Sequence, residues 1–329
     1  MQSFLDQALA TTMNYIKTGR SNKAIETISQ INKAFPECEL SKEIMNFIAF
    51  GKESNKIIDF MGCWWNGESL EGKSIQVFCD QGMGDTINLL RYLKAMKEKW
   101  KCKIILNNYA FYEEMKELFK CVNYVYEFVS HHEKCDYYTN SMSVPALFNG
   151  LKFDVYYPVH WEEVMKMPIP NQETICWPMA DYDLGFKNYL VGIAWRSNLD
   201  NPIGKKKSID IEEFIVLEDG INNLYSLIPS KEKFNMMTSL PLNNLYDTAE
   251  LIDALDVVVT VDTAVLHLAG AMHVKTLALL PFEADPRWGS GDRTVWYPTV
   301  EIYRQKDPND WSSVLKQVKE RLVSLRKII

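Results

Sequence analysis

Two short apolar runs on either side of a helical segment, within residues 255–281, constrain the fold more than any other stretch. Residues 257–261 are β-branched and almost wholly apolar, as expected for a strand buried on both faces of a parallel sheet. Residues 264–272 have the small and apolar composition of a packed helix, and residues 276–280 form a second buried strand. The order of strand, turn, helix and strand predicts an α/β protein with a parallel sheet.

Polar residues stand at the turn between the first of these strands and the helix. Open parallel sheets bind ligands beyond the carboxyl ends of their strands, and a helix N-terminus there offers free N–H groups to an anion. Asp262, Thr263 and His267 are therefore candidate ligand contacts. The alternative is structural, with Asp262 or Thr263 capping the helix and His267 packed in the core. The segment alone favours neither interpretation.

Composition narrows the function classes. The chain has 329 residues and is 47% hydrophobic, which is ample for one to three domains. No apolar run reaches the ~20 residues that cross a bilayer, and the first residues lack a signal-peptide pattern, so we expect a soluble, cytoplasmic protein. Seven scattered cysteines without a CxxC pair argue against a disulfide framework or a zinc site. A net charge of −7 argues mildly against broad nucleic-acid binding.

The chain divides into three predicted regions. Residues 1–60 form a helical segment with the spacing of one tetratricopeptide repeat, and a single repeat cannot stack into a solenoid. We therefore expect this segment to cap a domain or to dock a partner. Residues 61–170 and 171–329 each have βαβ rhythm, and Pro-rich sequence around residues 157–187 separates them.

A glycine-bearing turn follows the first strand of residues 61–170. The strand at residues 74–79 leads through Gly82 and Gly84 to Asp85 and a helix at residues 86–99. The two glycines permit a tight turn and a close approach of the backbone to a ligand. The pattern is not GxGxxG, which disfavours a dinucleotide-binding dehydrogenase. Asp85 is either an N-cap or a catalytic carboxylate.

A basic loop follows the first strand of residues 171–329. The strand at residues 189–195 is followed by a polar segment that contains glycine and three adjacent lysines, the last being Lys207. Such a loop could cradle a phosphate through hydroxyl, N–H and ammonium groups, or it could be a solvated loop. Because it follows a parallel strand, we expect it on the same edge of the sheet as Asp262.

Five motifs in register resemble those of the heptosyltransferase-like glycosyltransferases, glycosyltransferase family nine, especially the relatives that follow tetratricopeptide repeats. The motifs cover about residues 60–325. They are WNGESLEGK (65–73), DQGMGDTIN (80–88), VGIAW (191–195), VDTAVLHLAG (261–270), and WYP (296–298) followed by YRQ (303–305) and DW (310–311).

The resemblance implies a GT-B fold, in which two Rossmann-like domains face a cleft, the first binding the acceptor and the second the nucleotide sugar. It implies metal-independent, inverting transfer of a sugar from a nucleotide-diphosphate donor, with no other cofactor. Asp85 matches the proposed general base of the family, and Lys207 matches the basic residue that steadies the diphosphate. The other residues that the resemblance assigns to the site are Gly84, Trp195, Ser197, Asp262, Thr263, Ala264 and His267 on the donor side, and Gln81 and Met83 on the acceptor side.

The resemblance leaves the donor sugar and the acceptor open. Ala264 stands where many heptosyltransferases have glycine, and Lys207 stands where the nearest relatives have arginine. A surface glycan or lipopolysaccharide, a protein side chain and a modified base of phage DNA all fit as acceptors, and peripheral membrane contact is compatible with the sequence. The alternatives to an enzyme of this kind are a non-catalytic nucleotide-sugar-binding or scaffold protein and, less favoured, a nicotinamide oxidoreductase.

Overall fold

The computed structural model describes residues 63–79, 81–108, 110–131, 133–151, 164–170, 189–200, 202–229 and 235–327, together with the single residue Thr27. The predicted tetratricopeptide-like segment, residues 1–60, lies outside the described residues apart from Thr27. The described chain forms two compact units. The first contains residues up to 81, 92–110 and 125–151, and the second contains residues 82–91, 111–124 and those from 164 onward.

A five-stranded parallel sheet forms the centre of the first unit, in the order β1-β5-β2-β3-β4. Trp100 packs edge to face on two other aromatic side chains, Trp65 and Phe148, at centroid distances of 5.7 and 5.9 Å. The strands are β1 (Cys63–Trp64), β2 (Ser74–Phe78), β3 (Lys103–Asn107), β4 (Glu127–Val129) and β5 (Tyr137–Asn140), and the helices that follow β2, β3 and β5 are α1 (Met83–Trp100), α2 (Tyr112–Phe119) and α3 (Val144–Phe148).

Helix α1 begins at Met83, three residues before the predicted start, and this changes the position of Asp85. The carboxylate lies in the first turn of the helix, and its Oδ2 accepts a hydrogen bond from the backbone N–H of Gly82 at 3.1 Å. Asp85 is therefore not the N-cap residue of α1. It lies within the first turn and accepts a hydrogen bond from Gly82, just before the helix. A carboxylate in the first turn is also stabilised by the positive end of the helix dipole.

A six-stranded parallel sheet forms the centre of the second unit, in the order β11-β10-β9-β6-β7-β8. All residues of β9 are buried, as predicted from its β-branched composition. The strands are β6 (Tyr189–Ala194), β7 (Asn222–Ser226), β8 (Thr238–Ser239), β9 (Val257–Val261), β10 (Thr276–Leu280) and β11 (Val300–Arg304), and the helices are α4 (Pro202–Lys207), α5 (Leu245–Asp253), α6 (Ala264–Ala271) and α7 (Trp311–Arg326). Two 3₁₀ turns, Ile211–Leu217 and Pro286–Trp288, complete the unit.

The register of β6 and β9 brings two polar segments to one edge of this sheet. Ala194 at the end of β6 pairs in parallel with Thr260 near the end of β9, so the segments that follow the two strands emerge together. This confirms the prediction that the lysine-bearing loop lies on the same edge as Asp262. The loop contains the short helix α4, which the sequence analysis did not predict. Gly204 permits it, because a Cβ there would overlap the backbone carbonyl of Asn198.

A buried carboxylate, Glu301, joins β11 to α7 and to the segment before β10. Its oxygens contact Lys275 Nζ at 2.5 Å, Arg321 at 2.7–2.8 Å and Arg293 Nη2 at 3.2 Å, and its side chain is 9% exposed. Burial would raise the pKa of Glu301, but the hydrogen bonds and charges of Arg321 and Lys275 lower it to about 2. Protonating this carboxyl group therefore opposes folding.

None of the helices within the described ranges has the length and apolar character needed to cross a bilayer. The cytoplasmic location stays a prediction.

We expect Glu301→Gln to reduce the acid sensitivity of the fold. A lowered pKa in the folded state stabilises the protein above the unfolded-state pKa of about 4.5, and this contribution is lost as the pH falls towards 2. At about 1.4 kcal/mol per pKa unit, the contribution is on the order of 3 kcal/mol. Urea denaturation at pH 2–5 measures it. Glu283→Gln, at an exposed carboxylate paired with Lys206, is the control, and an equal pH slope in both variants contradicts the assignment.

Candidate functional site

A cavity of about 280 Å³ lies in the second unit, at the carboxyl edge of its sheet. Its wall includes Ser197 after β6, Leu227 after β7, and Thr263 and Ala264 after β9, and Met83 at the start of α1 also contributes. Segments that follow three parallel strands therefore meet at one place. This is where open parallel sheets bind ligands.

The N-terminus of α6 lies at the wall of this cavity. Thr263 is the N-cap residue with extended backbone, and its side chain makes no capping hydrogen bond. Thr263, Ala264 and Val265 all line the cavity. Asn244, which also lines the cavity, by contrast caps α5 by accepting hydrogen bonds from the N–H groups of the two residues after Leu245. The first turn of α6 therefore has the geometry of an anion-binding helix N-terminus.

Lys207 and Asp262 form an ion pair at the same edge, with Nζ and Oδ2 2.6 Å apart. Their side chains are 18% and 6% exposed, so the pair is largely removed from water. The end of α4 places the lysine, and Ser208 fixes this end by donating to the carbonyl of Gly204 at 2.8 Å. The hydroxyl of Ser208 also accepts the N–H of Ser197 at 3.0 Å. Two of the residues predicted to hold the donor sugar and diphosphate, Lys207 and Asp262, are thus brought together.

Asp85 is paired with Arg287, a residue that the sequence analysis did not assign to the site. Asp85 Oδ1 contacts Arg287 Nη1, and the two side chains are 19% and 12% exposed. Asp285 holds the other edge of the guanidinium, with its Oδ1 3.1 Å from Arg287 Nε. Burial alone would lower the pKa of Arg287, but the charges of Asp85 and Asp285 raise it above its ordinary value. The guanidinium therefore stays charged.

His267 lies in a buried aromatic cluster and is 3% exposed. Its Nδ1 lies 2.9 Å from the hydroxyl of Tyr297, and its ring packs on Trp288 at a centroid distance of 5.1 Å. Burial lowers the pKa of His267 well below its ordinary value, and the cationic side chains around it lower it further, so the ring is neutral. This placement favours the core interpretation of His267 over direct ligand contact.

Gly84 lies directly against this histidine. A Cβ at position 84 would come within 2.5 Å of His267 Cδ2, so the close approach of α1 to α6 needs glycine here. Gly84 was predicted to allow a ligand to approach the backbone, but in the structure it is the His267 side chain of the same unit that makes this close approach.

The remaining predicted residues are placed as follows. Trp195 is 4% exposed, and its carbonyl accepts the N–H of Ile209 at 2.9 Å, so it supports the site from within the core. Gln81 is partly buried and belongs to the first unit. Met83, which was predicted to face the acceptor, lines the same cavity as Thr263.

Three charged residues that line the cavity or contact Asp85 were not predicted as site residues. Arg196 lines the cavity and lies two residues after Ala194, the last residue of β6, a position that the strand pattern could have indicated. Glu114 on α2 lines the cavity, and Arg287 in the loop after β10 contacts Asp85. Both are brought to the site from segments where no site was predicted. No local motif marks either of them.

The family comparison matches residues 219–291 to the model of "Glycosyltransferase family 9 (heptosyltransferase)". The matched segment includes β9, the Asp262–Thr263 turn, α6 and Arg287. The resemblance stated from the motifs is therefore confirmed by an independent match. No curated protein matches the chain.

Solved structures share the fold. A glycosyltransferase of family 9 from Veillonella parvula aligns with a TM-score of 0.53 and 13% identity, over 78% of this chain and 98% of its own. The ADP-heptose lipopolysaccharide heptosyltransferase II of E. coli aligns with a TM-score of 0.50 and 14% identity, over 77% and 98%. The E. coli heptosyltransferase WaaC, solved with ADP, aligns with a TM-score of 0.50 and 12% identity, over 77% and 99%.

These likenesses establish the fold class, GT-B with two Rossmann-like α/β units, and with the family match they support a glycosyltransferase. The link to tetratricopeptide-repeat relatives stays a prediction, as do the roles of the individual site residues.

We expect Gly84→Ala to destabilise the protein by about 1–3 kcal/mol, the range for overpacking a close contact, because the new methyl group meets the His267 ring. Urea denaturation measures the loss. Gly291→Ala is the control, since the nearest atom to a Cβ there is 3.9 Å away. In a His267→Ala background the added cost of Gly84→Ala should largely vanish. An unchanged cost in that background contradicts the contact.

Proposed function

We propose that this protein is an inverting, metal-independent glycosyltransferase that moves a sugar from a nucleotide-diphosphate donor to a hydroxyl acceptor. The observation that carries the proposal is the position of the partly exposed Asp85 carboxylate. Asp85 follows Met83 by two residues, and Met83 lines the cavity that also bears the α6 N-terminus. A base and an anion-binding end therefore lie in the same unit.

The cavity suits the nucleotide part of such a donor. Leu227, Ile228 and Val265 give it apolar walls against which a planar base can pack. Its volume of about 280 Å³ is just below the ~300–1,000 Å³ of typical ligand pockets, so it accommodates part of a nucleotide sugar rather than the whole. We assign the base and ribose to these walls and the diphosphate to the first turn of α6.

The leaving diphosphate needs fixed positive charge, since no metal takes part in the proposed reaction. The N–H groups at the start of α6 supply part of it. Lys207 supplies the rest, and its ion pair with Asp262 holds the ammonium at the edge of the sheet before the donor arrives. A preorganised charge of this kind stabilises the developing anion without reorganisation in the transition state.

Asp85 is proposed as the general base that takes the proton of the acceptor hydroxyl. An ionised carboxylate has about four lone-pair sites, and the contacts to Arg287 Nη1 and Gly82 N–H use two of them. The remaining sites and the 19% exposure of the side chain leave room for a hydroxyl donor. General-base catalysis of this kind contributes about 10²–10⁴-fold to a rate.

The donor and acceptor screens follow from the comparisons. The E. coli relative solved with ADP makes ADP-sugars the first donors to test, followed by other nucleoside-diphosphate sugars. Acceptors for the screen are surface glycans and lipopolysaccharide cores, protein hydroxyls and modified bases of phage DNA, with the products detected by mass spectrometry.

We expect Asp85→Asn to reduce transfer by about 10²–10⁴-fold while nucleotide affinity stays within a few-fold of wild type. The amide keeps the shape and an oxygen acceptor but cannot take a proton. Transfer is measured by mass spectrometry, and affinity by calorimetry with ADP. Full activity of the variant would refute the mechanism, and binding of nucleotides without turnover of any donor by the wild type would favour the non-catalytic alternative.

We expect Lys207→Met to weaken ADP binding tenfold or more, because a charge-assisted contact is worth about 1.5–3 kcal/mol, and to leave binding of the uncharged nucleoside unchanged. Lys206→Met is the matched control, since Lys206 is an exposed neighbour paired with Glu283. The double variant Lys207→Met with Asp262→Asn avoids a buried unpaired carboxylate. Equal losses in the Lys206 and Lys207 variants would contradict the role.

A further inference from the structure

Arg287 contacts Asp85, the proposed general base, although no sequence motif marks this arginine. Its Nη1 contacts Asp85 Oδ1, and the pair is mostly shielded from water, with side-chain exposures of 12% and 19%. Arg287 lies in the short 3₁₀ turn Pro286–Trp288 after β10, and Asp85 lies in the first turn of α1. The contact thus links two segments about 200 residues apart.

The guanidinium is itself fixed at several points. Asp285 Oδ1 lies 3.1 Å from Arg287 Nε and accepts the N–H of Arg287 at 2.9 Å, so one carboxylate holds both the side chain and the backbone. The carbonyl of Arg287 accepts the indole N–H of Trp296 at 2.8 Å. The following residue, Trp288, is buried against His267. Few rotamers of Arg287 are compatible with all these contacts.

We propose that Arg287 is a positioning residue that fixes the Asp85 carboxylate in the orientation needed to accept the proton of the acceptor hydroxyl, with Asp285 fixing Arg287 in turn. This inference rests on the proposed function. Arg287 holds Oδ1 and the N–H of Gly82 holds Oδ2, so rotation of the carboxylate about its last bond is blocked from both sides. The remaining lone pairs then have a defined direction.

The size of the effect follows from the geometry of proton transfer. A general base works when it lies within hydrogen-bond reach, about 2.6–3.2 Å, of the proton that it removes. A misplacement of about 1 Å costs on the order of a hundredfold in rate. Positioning acts on kcat, whereas a role of Arg287 in holding the donor diphosphate would act on nucleotide affinity. The two roles are therefore separable by measurement.

The first experiment compares Arg287→Lys and Arg287→Met with Arg293→Met. Arg293 lies in the same loop, is 57% exposed and contacts Glu301, which keeps two other cationic partners. We expect Arg287→Met to lower kcat about a hundredfold, Arg287→Lys to lower it less, and both to bind ADP within threefold of wild type. Arg293→Met should match the wild type. Asp285→Asn should lower kcat less than Arg287→Met, because Asp285 acts on Asp85 only through Arg287.

Stability is measured for each variant, because Arg287→Met leaves two carboxylates without their cation. If that variant fails to fold, Arg287→Lys and Asp285→Asn carry the test. Adding guanidinium at millimolar concentration to Arg287→Ala should restore part of the lost kcat, which a purely structural role of the ion pair would not allow.

A double-mutant cycle with Asp85 decides whether Arg287 acts through the base. In the Asp85→Asn background, Arg287→Met should cause no further loss of the residual rate, because the group that it positions is gone. Multiplied losses, or a loss of ADP affinity above tenfold in Arg287→Met, overturn the proposal and assign Arg287 to the donor. Wild-type kcat in Arg287→Met, with Asp85→Asn inactive, overturns the role of Arg287 alone. Full activity of Asp85→Asn overturns the proposed function itself.

Discussion

The buried carboxylate of Asp262 is the constraint on which the site depends. Asp262 follows the fully buried β9 and is itself 6% exposed, so its negative charge would be costly without a cation beside it. Lys207 supplies that cation from the segment after β6, and the parallel register of β6 and β9 brings the two together. The pairing of strands thus brings the two charges together at the edge of the sheet to which we assign the donor diphosphate.

The same logic applies on the α1 side of the site. Arg287 lies between Asp85 and Asp285, and each of these ions is partly withdrawn from water. Replacing such an ion cluster by apolar residues is often neutral or stabilising, so stability alone gives little reason for it. The proposed role of Asp85 explains this cluster of charges better than a contribution to stability does. His267 stays neutral among these cations, which avoids a further buried charge.

The sequence predicts the second sheet well and the site only in part. The boundaries of β9 and β10 were predicted to the residue, because each is a largely apolar run that is followed by a polar or proline residue. Helix α4 was missed, since lysines after a strand are equally typical of a loop and only the packing of Gly204 on Asn198 shows the turn. Arg287 was missed for a different reason, because its partner Asp85 lies far away along the chain and pairing at that distance leaves no local pattern.

The start of α1 shows how contacts rather than chain order define the site. Counted along the chain, Asp85 lies within the predicted region 61–170, yet its contacts group residues 82–91 with the second unit. At the end of residues 82–91, Arg91 donates to the carbonyl of Trp296 at 2.7 Å and stacks on the ring of Tyr297. Near the start of the same segment, Asp85 pairs with Arg287. The proposed base and the cavity to which we assign the donor are therefore fixed by packing within one unit. Contacts within the unit set their separation, and this is the preorganisation that the proposed transfer requires.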